Sequence, residues 1–384
     1  MSVTAPKGFL AAGVQAGIKA SGRRDLALVV NTGPTRSCAG VYTSNRFQAA
    51  PVQWSAKVTA NGTLDAIVLN SGGANACTGP DGYADTVQTA HWVADALGTT
   101  ADKVAVASTG LIGVRLPMDA IQTGISLAHE SLSDTGGGDA ALAIMTTDTI
   151  SKRAVYTDPV GWTIGGMAKG AGMLAPQLAT MLVVITTDAV VDAPALDRAL
   201  RTATSLTFDR TDSDGCMSTN DTVVLMASGA SEITPDADAF TQGLTKVCAD
   251  LARQLLSDAE GASHDIAVEV VHAATEADAL DVARSVTRAN LFKCAIFGND
   301  PNWGRVLASA GTSKAAFDPD KVDVAFNGVT VFRQGGLGED RSLVDLRPRA
   351  VHVLIDLNEG DASATVWTND LTYDYVKENA EYSS

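Results

Sequence analysis

A threonine hydroxyl is a weak nucleophile, and the segment "KGAGMLAPQLATMLVVITTDA" at 169–189 sets one where it could be activated. Gly170 and Gly172 make the approach to Thr180 conformationally permissive, so strained backbone is accessible there. After Thr180 the β-branched, apolar run at 183–187 reads as a strand, which would hold the hydroxyl rigidly. What remains to be found is a base. A chain that begins at threonine carries its own α-amine, pKa ~8, beside the hydroxyl. Cutting the Ala179–Thr180 bond would free that amine. Thr180 could make the cut itself, attacking the preceding carbonyl and passing through an ester. The plainer reading of the same residues is a threonine that only opens a strand, a common place for a β-branched side chain.

Other spacings carry less. Gly170, Gly172 and Ala175 fit G-x-G-x-x-[GA], with Asp188 downstream, but a dinucleotide site needs a helix opening directly after the glycines. Pro176 and the run 183–187 predict a loop and then a strand. "RTDSDGCMSTND" at 210–221 contains part of a calcium-loop pattern in Asp212, Asp214, Gly215 and Asp221. Arg210 occupies the first ligand position and the last acid is Asp, so a polar turn is expected. His91, His129, His264, His272 and His352 show no compact metal spacing. No G-x-S-x-G elbow or phosphate-binding Walker loop is present.

The elements that must position these groups follow from periodicity. Apolar runs "LALVV" (26–30), "AIVLN" (66–70) and "KVAVAS" (103–108) predict strands, and Val87, Trp92, Val93 and Leu97 fall at helical spacing between the last two. Another helix is expected from about Pro117. Phe240, Leu244, Val247, Leu251 and Leu255 mark one face of a long helix, followed by the alternating strand "DIAVEVV". Thr275 and Asp278 resemble a capping box at the start of the next helix. "AVHVLIDLNEGDASATVWT" predicts a hairpin turning at "NEGD". The fold class is mixed α/β, with several segments able to pair antiparallel.

Nearly half of the 384 residues are hydrophobic (46%) and only 19% are charged, enough for a large core and against disorder. A net charge of −16 argues against a general nucleic-acid-binding role, which rests on clustered Lys and Arg. The N-terminal residues lack a long apolar segment or an Arg-rich amphipathic stretch, and no apolar run approaches the ~20 residues of a membrane span. Cys38, Cys77, Cys216, Cys248 and Cys294 are an odd, scattered set, the pattern of free thiols in a reducing compartment. A soluble, cytoplasmic protein without membrane or nucleic-acid partners is the expectation.

Read together and in order, several motifs go further: "NSGGANACTG" (70–79), "STGLIG" (108–113), "AIMTTD" (143–148), "GGMAKGAGMLAPQLATML" (165–182), "STNDT" (218–222), "DAEG" (258–261) and "DPNWGRV" (300–306). With these motifs the sequence resembles the ornithine acetyltransferase (glutamate N-acetyltransferase) family of arginine biosynthesis over essentially the whole chain. The resemblance decides for Thr180 as nucleophile. It implies a two-lobed sandwich of the N-terminal-nucleophile type, built of β-sheets and helices. Cleavage at Ala179–Thr180 would give an α chain (1–179) and a β chain (180–384) that stay together, two of each in the assembly.

The implied chemistry is ping-pong acyl transfer. Thr180 takes acetyl from N2-acetylornithine, ornithine leaves, and glutamate takes the acetyl group. No metal or organic cofactor is implied, although acetyl-CoA is a possible second acetyl donor. The resemblance places oxyanion donors at Thr109 and Gly110, and substrate contacts at Thr146, Lys169, Thr180, Glu260, Asn379 and Ser384. Lys169 suits a substrate carboxylate and Glu260 an ammonium. Glu260 also lies near a predicted helix end with Asp258, where the macrodipole disfavours acids. The chain departs from the family at "EGASH", where relatives often read "EGATK", so His264 replaces a lysine. The alternatives are a self-processing N-terminal-threonine amidase or aminopeptidase, and a non-enzymatic protein that keeps the fold.

Overall fold

A computed structural model describes residues 2–173 and 181–381. Three sheets organise them. The first has four strands in the order Phe9–Val14, Leu26–Asn31, Ala66–Gly73 and Val104–Leu111, the last pair parallel. The second has five, in the order Ser37–Tyr42, Thr222–Ala227, Leu182–Thr187, Thr163–Lys169 and Lys152–Thr157. Two of its three inner strands, LVVITT and TVVLMA, are buried at every position, because both faces are covered.

The period of two decides which residue meets which layer. Leu182, Val184, Val224 and Met226 enter the core shared with the first sheet, whereas Val183, Ile185, Val223 and Leu225 enter a second core. That second core is closed by the helices Ala193–Leu206 and Ala237–Ser257. The long helix buries Phe240, Leu244, Val247, Leu251 and Leu255, the predicted face. On the first sheet the helices Gly79–Leu97 and Met118–Glu130 complete the packing, the latter directly after Pro117.

The second sheet has a consequence for the expected division at 179/180. Strands at 37–42, 152–157 and 163–169 come from one side of that boundary, and 182–187 and 222–227 from the other. Lys169 pairs with Leu182, and Leu182 in turn with Thr222. The two stretches are therefore joined by a continuous backbone ladder and a shared core; the boundary falls inside a packing unit.

The third sheet has six strands and a core of its own, against which the helix Glu276–Thr287 packs. Thr275 caps that helix, its hydroxyl accepting the Asp278 amide at 3.1 Å. Here the expected hairpin is corrected. Ala350–Asp356 and Ala362–Asn369 do form strands, but Asp265–Ala273 lies between them, parallel to the first and antiparallel to the second. The connection instead wraps the end of the intervening strand: Leu357 donates to the Val271 carbonyl, and Glu359 and Gly360 donate to that of His272. Alternation marks a strand's faces but not its neighbour.

Candidate active site

Thr109 and Gly110 are carried to the end of the strand Val104–Leu111, where its parallel partner shifts register at Gly72–Gly73. The shift brings backbone against backbone. Gly110 has φ of +130°, and a Cβ there would stand 2.5 Å from the Gly72 carbonyl carbon. Only glycine fits. Asn220, from the loop before Thr222–Ala227, fastens this corner, its amide donating to the Ala74 and Ser108 carbonyls at 2.6 and 2.7 Å.

Lys169 ends the adjacent sheet's strand Thr163–Lys169 and is buried. Its ammonium donates to the Thr109 hydroxyl at 3.0 Å. Burial pushes the Lys169 pKa below the ordinary lysine value, against the attraction of Asp148; the nearby Lys152 charge adds to the push.

Asp148 organises the floor of the site. Its carboxylate accepts the Gly170 amide at 2.7 Å and the Thr146 amide at 2.9 Å. It also pairs with Lys152 at 2.6 Å, and Lys152 reaches on to Asp258 at 2.5 Å. All three side chains are buried, an arrangement stable only when each charge is matched. Burial by itself would raise the Asp148 pKa, but the Lys169 and Lys152 ammoniums prevail and hold it at about 2.

Glu260 follows the long helix by three residues. Its amide donates to the Ala171 carbonyl at 2.9 Å, and its Oε1 accepts the Thr147 hydroxyl at 2.8 Å. A Cβ on Gly172 would come within 2.8 Å of Oε2, so the bare glycine gives the carboxylate its place. Asn379 comes from the helix Tyr373–Glu381, with its amide on the Tyr375 carbonyl.

These residues surround one cavity of about 100 Å³. Thr109, Gly110, Thr146, Lys169, Glu260 and Asn379 all line it, although the sequence spreads them over 271 positions from 109 to 379. Ala179, Thr180 and Ser384 lie outside the described residues. The lining also includes Gly172, read from the sequence only as a permissive glycine, and Thr147 and Asn220, which sequence reasoning did not single out. Asp148 and Lys152, beneath it, were missed as well. Thr147 and Asp148 stand within "AIMTTD" and Asn220 within "STNDT", so the motifs held the signal without the roles.

The chain that supplies this cavity can be compared with known proteins. The ArgJ family model matches residues 10–384. The chain belongs to the ArgJ family. The arginine biosynthesis bifunctional protein ArgJ of Streptomyces coelicolor is 65% identical over 384 residues, the full length of both chains. That of Thermobifida fusca is 60% identical, again over both full lengths. A crystal structure of ornithine acetyltransferase complexed with ornithine, from Mycobacterium tuberculosis, is 54% identical, with a TM-score of 0.46; the match covers 47% of this chain and 96% of that one.

The departure at His264 falls away from the cavity. The His264 ring bonds Asp370 at 2.7 Å and the Leu346 carbonyl at 2.9 Å, inside the third sheet's flank. The partial calcium pattern disperses too: Asp212 pairs with Arg288, Asp214 accepts the Cys216 amide, and Asp221 accepts the Met181 amide. Among the described residues no group of three or more His, Cys, Asp or Glu is arranged to hold a metal ion. The residues directly after Met173, where a dinucleotide-binding helix would open, lie outside the described residues; the next described element is the strand Leu182–Thr187. Among the described residues no helix is long and apolar enough to cross a membrane.

Proposed function

We propose that this chain transfers the acetyl group of N2-acetylornithine to glutamate, releasing ornithine and N-acetylglutamate. Cleavage between Ala179 and Thr180 frees the Thr180 α-amine, which takes the proton from the hydroxyl as the oxygen attacks the acetyl carbonyl. The Thr109 hydroxyl and Gly110 amide stabilise the resulting oxyanion. Collapse expels ornithine, which receives the proton, and leaves an acetyl-Thr180 ester. The glutamate amine then attacks that ester and restores the hydroxyl. Amide is exchanged for amide, so the scheme requires no ATP, metal ion or organic cofactor.

Thr146 and Lys169 serve the substrate carboxylate, and Glu260 the ornithine side-chain ammonium, with Asn379 and Ser384 at the C-terminal side. The bifunctional names of the relatives extend the proposal to acetyl-CoA as a second donor. Two α and two β chains assemble in the cytoplasm. The ladder joining Lys169, Leu182 and Thr222 supports their staying together after cleavage.

The observation that carries this reading is the convergence of Thr109, Gly110, Thr146, Lys169, Glu260 and Asn379 on one cavity in a member of this family. Denaturing intact-mass spectrometry of fresh, untagged protein tests it. Two fragments dividing at Ala179/Thr180 are expected, with Thr180→Ala intact and inactive and Thr180→Ser still cleaving. A Thr180→Ala protein with full transferase activity would sink the mechanism. Ornithine release that proceeds without glutamate would instead favour the amidase reading.

A further inference from the structure

One buried carboxyl beside the site has no part in lining the cavity. Asp221 is fully buried, at 0% exposure. Its Oδ1 accepts the Met181 amide at 3.0 Å, and that nitrogen is bonded covalently to the carbonyl carbon of Thr180. The Met181 carbonyl in turn accepts the Thr222 amide at 3.1 Å. Both backbone polar groups of the residue after the nucleophile are thus tied to positions 221–222. Asp221 is itself fixed, since its own carbonyl accepts the Thr43 amide at 3.0 Å.

The other carboxyl oxygen, Oδ2, is buried and makes no hydrogen bond among the described residues. A buried, unsatisfied polar atom is costly enough that natural proteins seldom keep one without a use. An ionised carboxylate in that position would be costlier still. Burial drives the Asp221 pKa well above the ordinary carboxyl value; the nearby Asp209 charge acts in the same direction, against the Met181 amide, Lys169 and the Ser218 hydroxyl. Oδ1 is thus held by the Met181 amide, while Oδ2 is enclosed without a hydrogen-bond partner among the described residues.

From this geometry we infer that Asp221 is a positioning residue for the nucleophile, holding Met181 so that the chain delivers Thr180 in register for self-cleavage and then for acyl transfer. The inference rests on the proposed function and adds to it a residue that touches no substrate. Its contribution lies in geometry, through the hydrogen bond it accepts from the Met181 amide, and not in charge. A misplacement of the reacting oxygen by a fraction of an ångström slows both reactions, because both depend on the same near-attack arrangement. Substrate affinity should stay as it is.

Three substitutions separate these features. Asp221→Asn retains an acceptor for the Met181 amide at nearly the same volume and without the carboxyl. Asp221→Leu fills a similar volume with no hydrogen bond, and Asp221→Ala empties it. Cleavage is followed by intact mass over time, kcat and KM are measured for acetylornithine and glutamate, and melting is followed by circular dichroism. The expected result is a Leu or Ala variant that cleaves and turns over at least about tenfold slower, the scale of one lost buried hydrogen bond, with KM within about twofold. Asp221→Asn should remain within about threefold of the wild type on both rates.

Wild-type rates in a folded Leu or Ala variant would overturn the inference. So would an Asn variant as slow as Leu at an unchanged melting temperature, since charge would then be what matters. If one apolar variant fails to fold, the other decides. An intact, inactive wild-type chain would defeat the proposed function itself and this role with it. A cleaved, active wild type beside an unimpaired Asp221→Leu defeats the role of Asp221 alone.

Discussion

Lys169 donates a hydrogen bond to the hydroxyl of Thr109 across 3.0 Å, joining the ends of strands from two different sheets. The contact links a residue proposed to bind substrate with one proposed to stabilise the oxyanion. A hydroxyl that accepts from an ammonium still has its own hydrogen to give, and it gives it more strongly because the ammonium polarises the oxygen. The proposed oxyanion donor is thus oriented before any substrate arrives.

That arrangement predicts an asymmetry between two substitutions at one position. Thr109→Val removes the hydroxyl at nearly constant shape and should lower kcat by about 10²–10³, the usual cost of one oxyanion donor. Thr109→Ser should keep most of the activity. Lys169→Met should lower kcat as well as raise KM. In a double-mutant cycle its kcat effect should largely vanish on the Thr109→Val background, because the two side chains act through one contact. Steady-state kinetics on all four proteins checks this.

Two glycines are expected to fail differently. Gly110→Ala sets a Cβ against the Gly72 backbone at 2.5 Å with φ at +130°, so the loss should appear in both melting temperature and kcat. Gly172→Ala meets only the end of the Glu260 side chain, at 2.8 Å. The carboxylate can swing away, so the protein should melt near the wild-type temperature while KM for acetylornithine rises about 5- to 150-fold, the equivalent of the ~1–3 kcal/mol of a displaced charged contact. Comparing melting curves with KM distinguishes the two.

Acid should find Asp148. Its folded pKa of about 2 lies below the unfolded value of 3.8, so the unfolded chain binds its proton first as pH falls. The stabilisation is fully present above pH 4 and is lost as pH falls from there through about 2. It amounts to roughly 2 kcal/mol. Urea midpoints measured from pH 5 to pH 2.5 should fall less steeply for Asp148→Asn than for the wild type, although the variant is weaker throughout.

Lys152 provides the complementary test. Lys152→Met leaves Asp148 and Asp258 buried with their shared cation gone, which should cost about 3–5 kcal/mol. Replacing all three together, as Asp148→Asn, Lys152→Met and Asp258→Asn, should restore part of that loss, because the two carboxylates are no longer buried as charges without their shared cation. Denaturant unfolding of the single and triple variants measures both effects. Recovery in the triple variant is the sign that unpaired charge, and not lost packing, caused the damage.

Much of this protein was determined locally. The helix Ala237–Ser257 follows from the spacing of Phe240, Leu244, Val247, Leu251 and Leu255, and the start of Glu276–Thr287 from a threonine three residues ahead of Asp278. Such features depend on neighbours within a turn or a strand, so the sequence states them directly. The ordered motifs likewise contain Thr109, Gly110, Thr146, Lys169 and Glu260 of the cavity lining, though not Asn379. Contacts between distant residues were another matter. Nothing near Lys169 announces that its ammonium rests on Thr109, 60 positions away, or that Thr147 reaches Glu260 across 113. Lys152 opens a strand that reads KRAVYT and looks like a surface position, yet it is fully buried between two carboxylates. Asp356 and Ala362 resemble the two ends of one hairpin until another strand is found between them. Period fixes which face a side chain occupies. Which element covers that face, and therefore which charges meet and which carboxyl is buried, is decided only when the sheets close on one another.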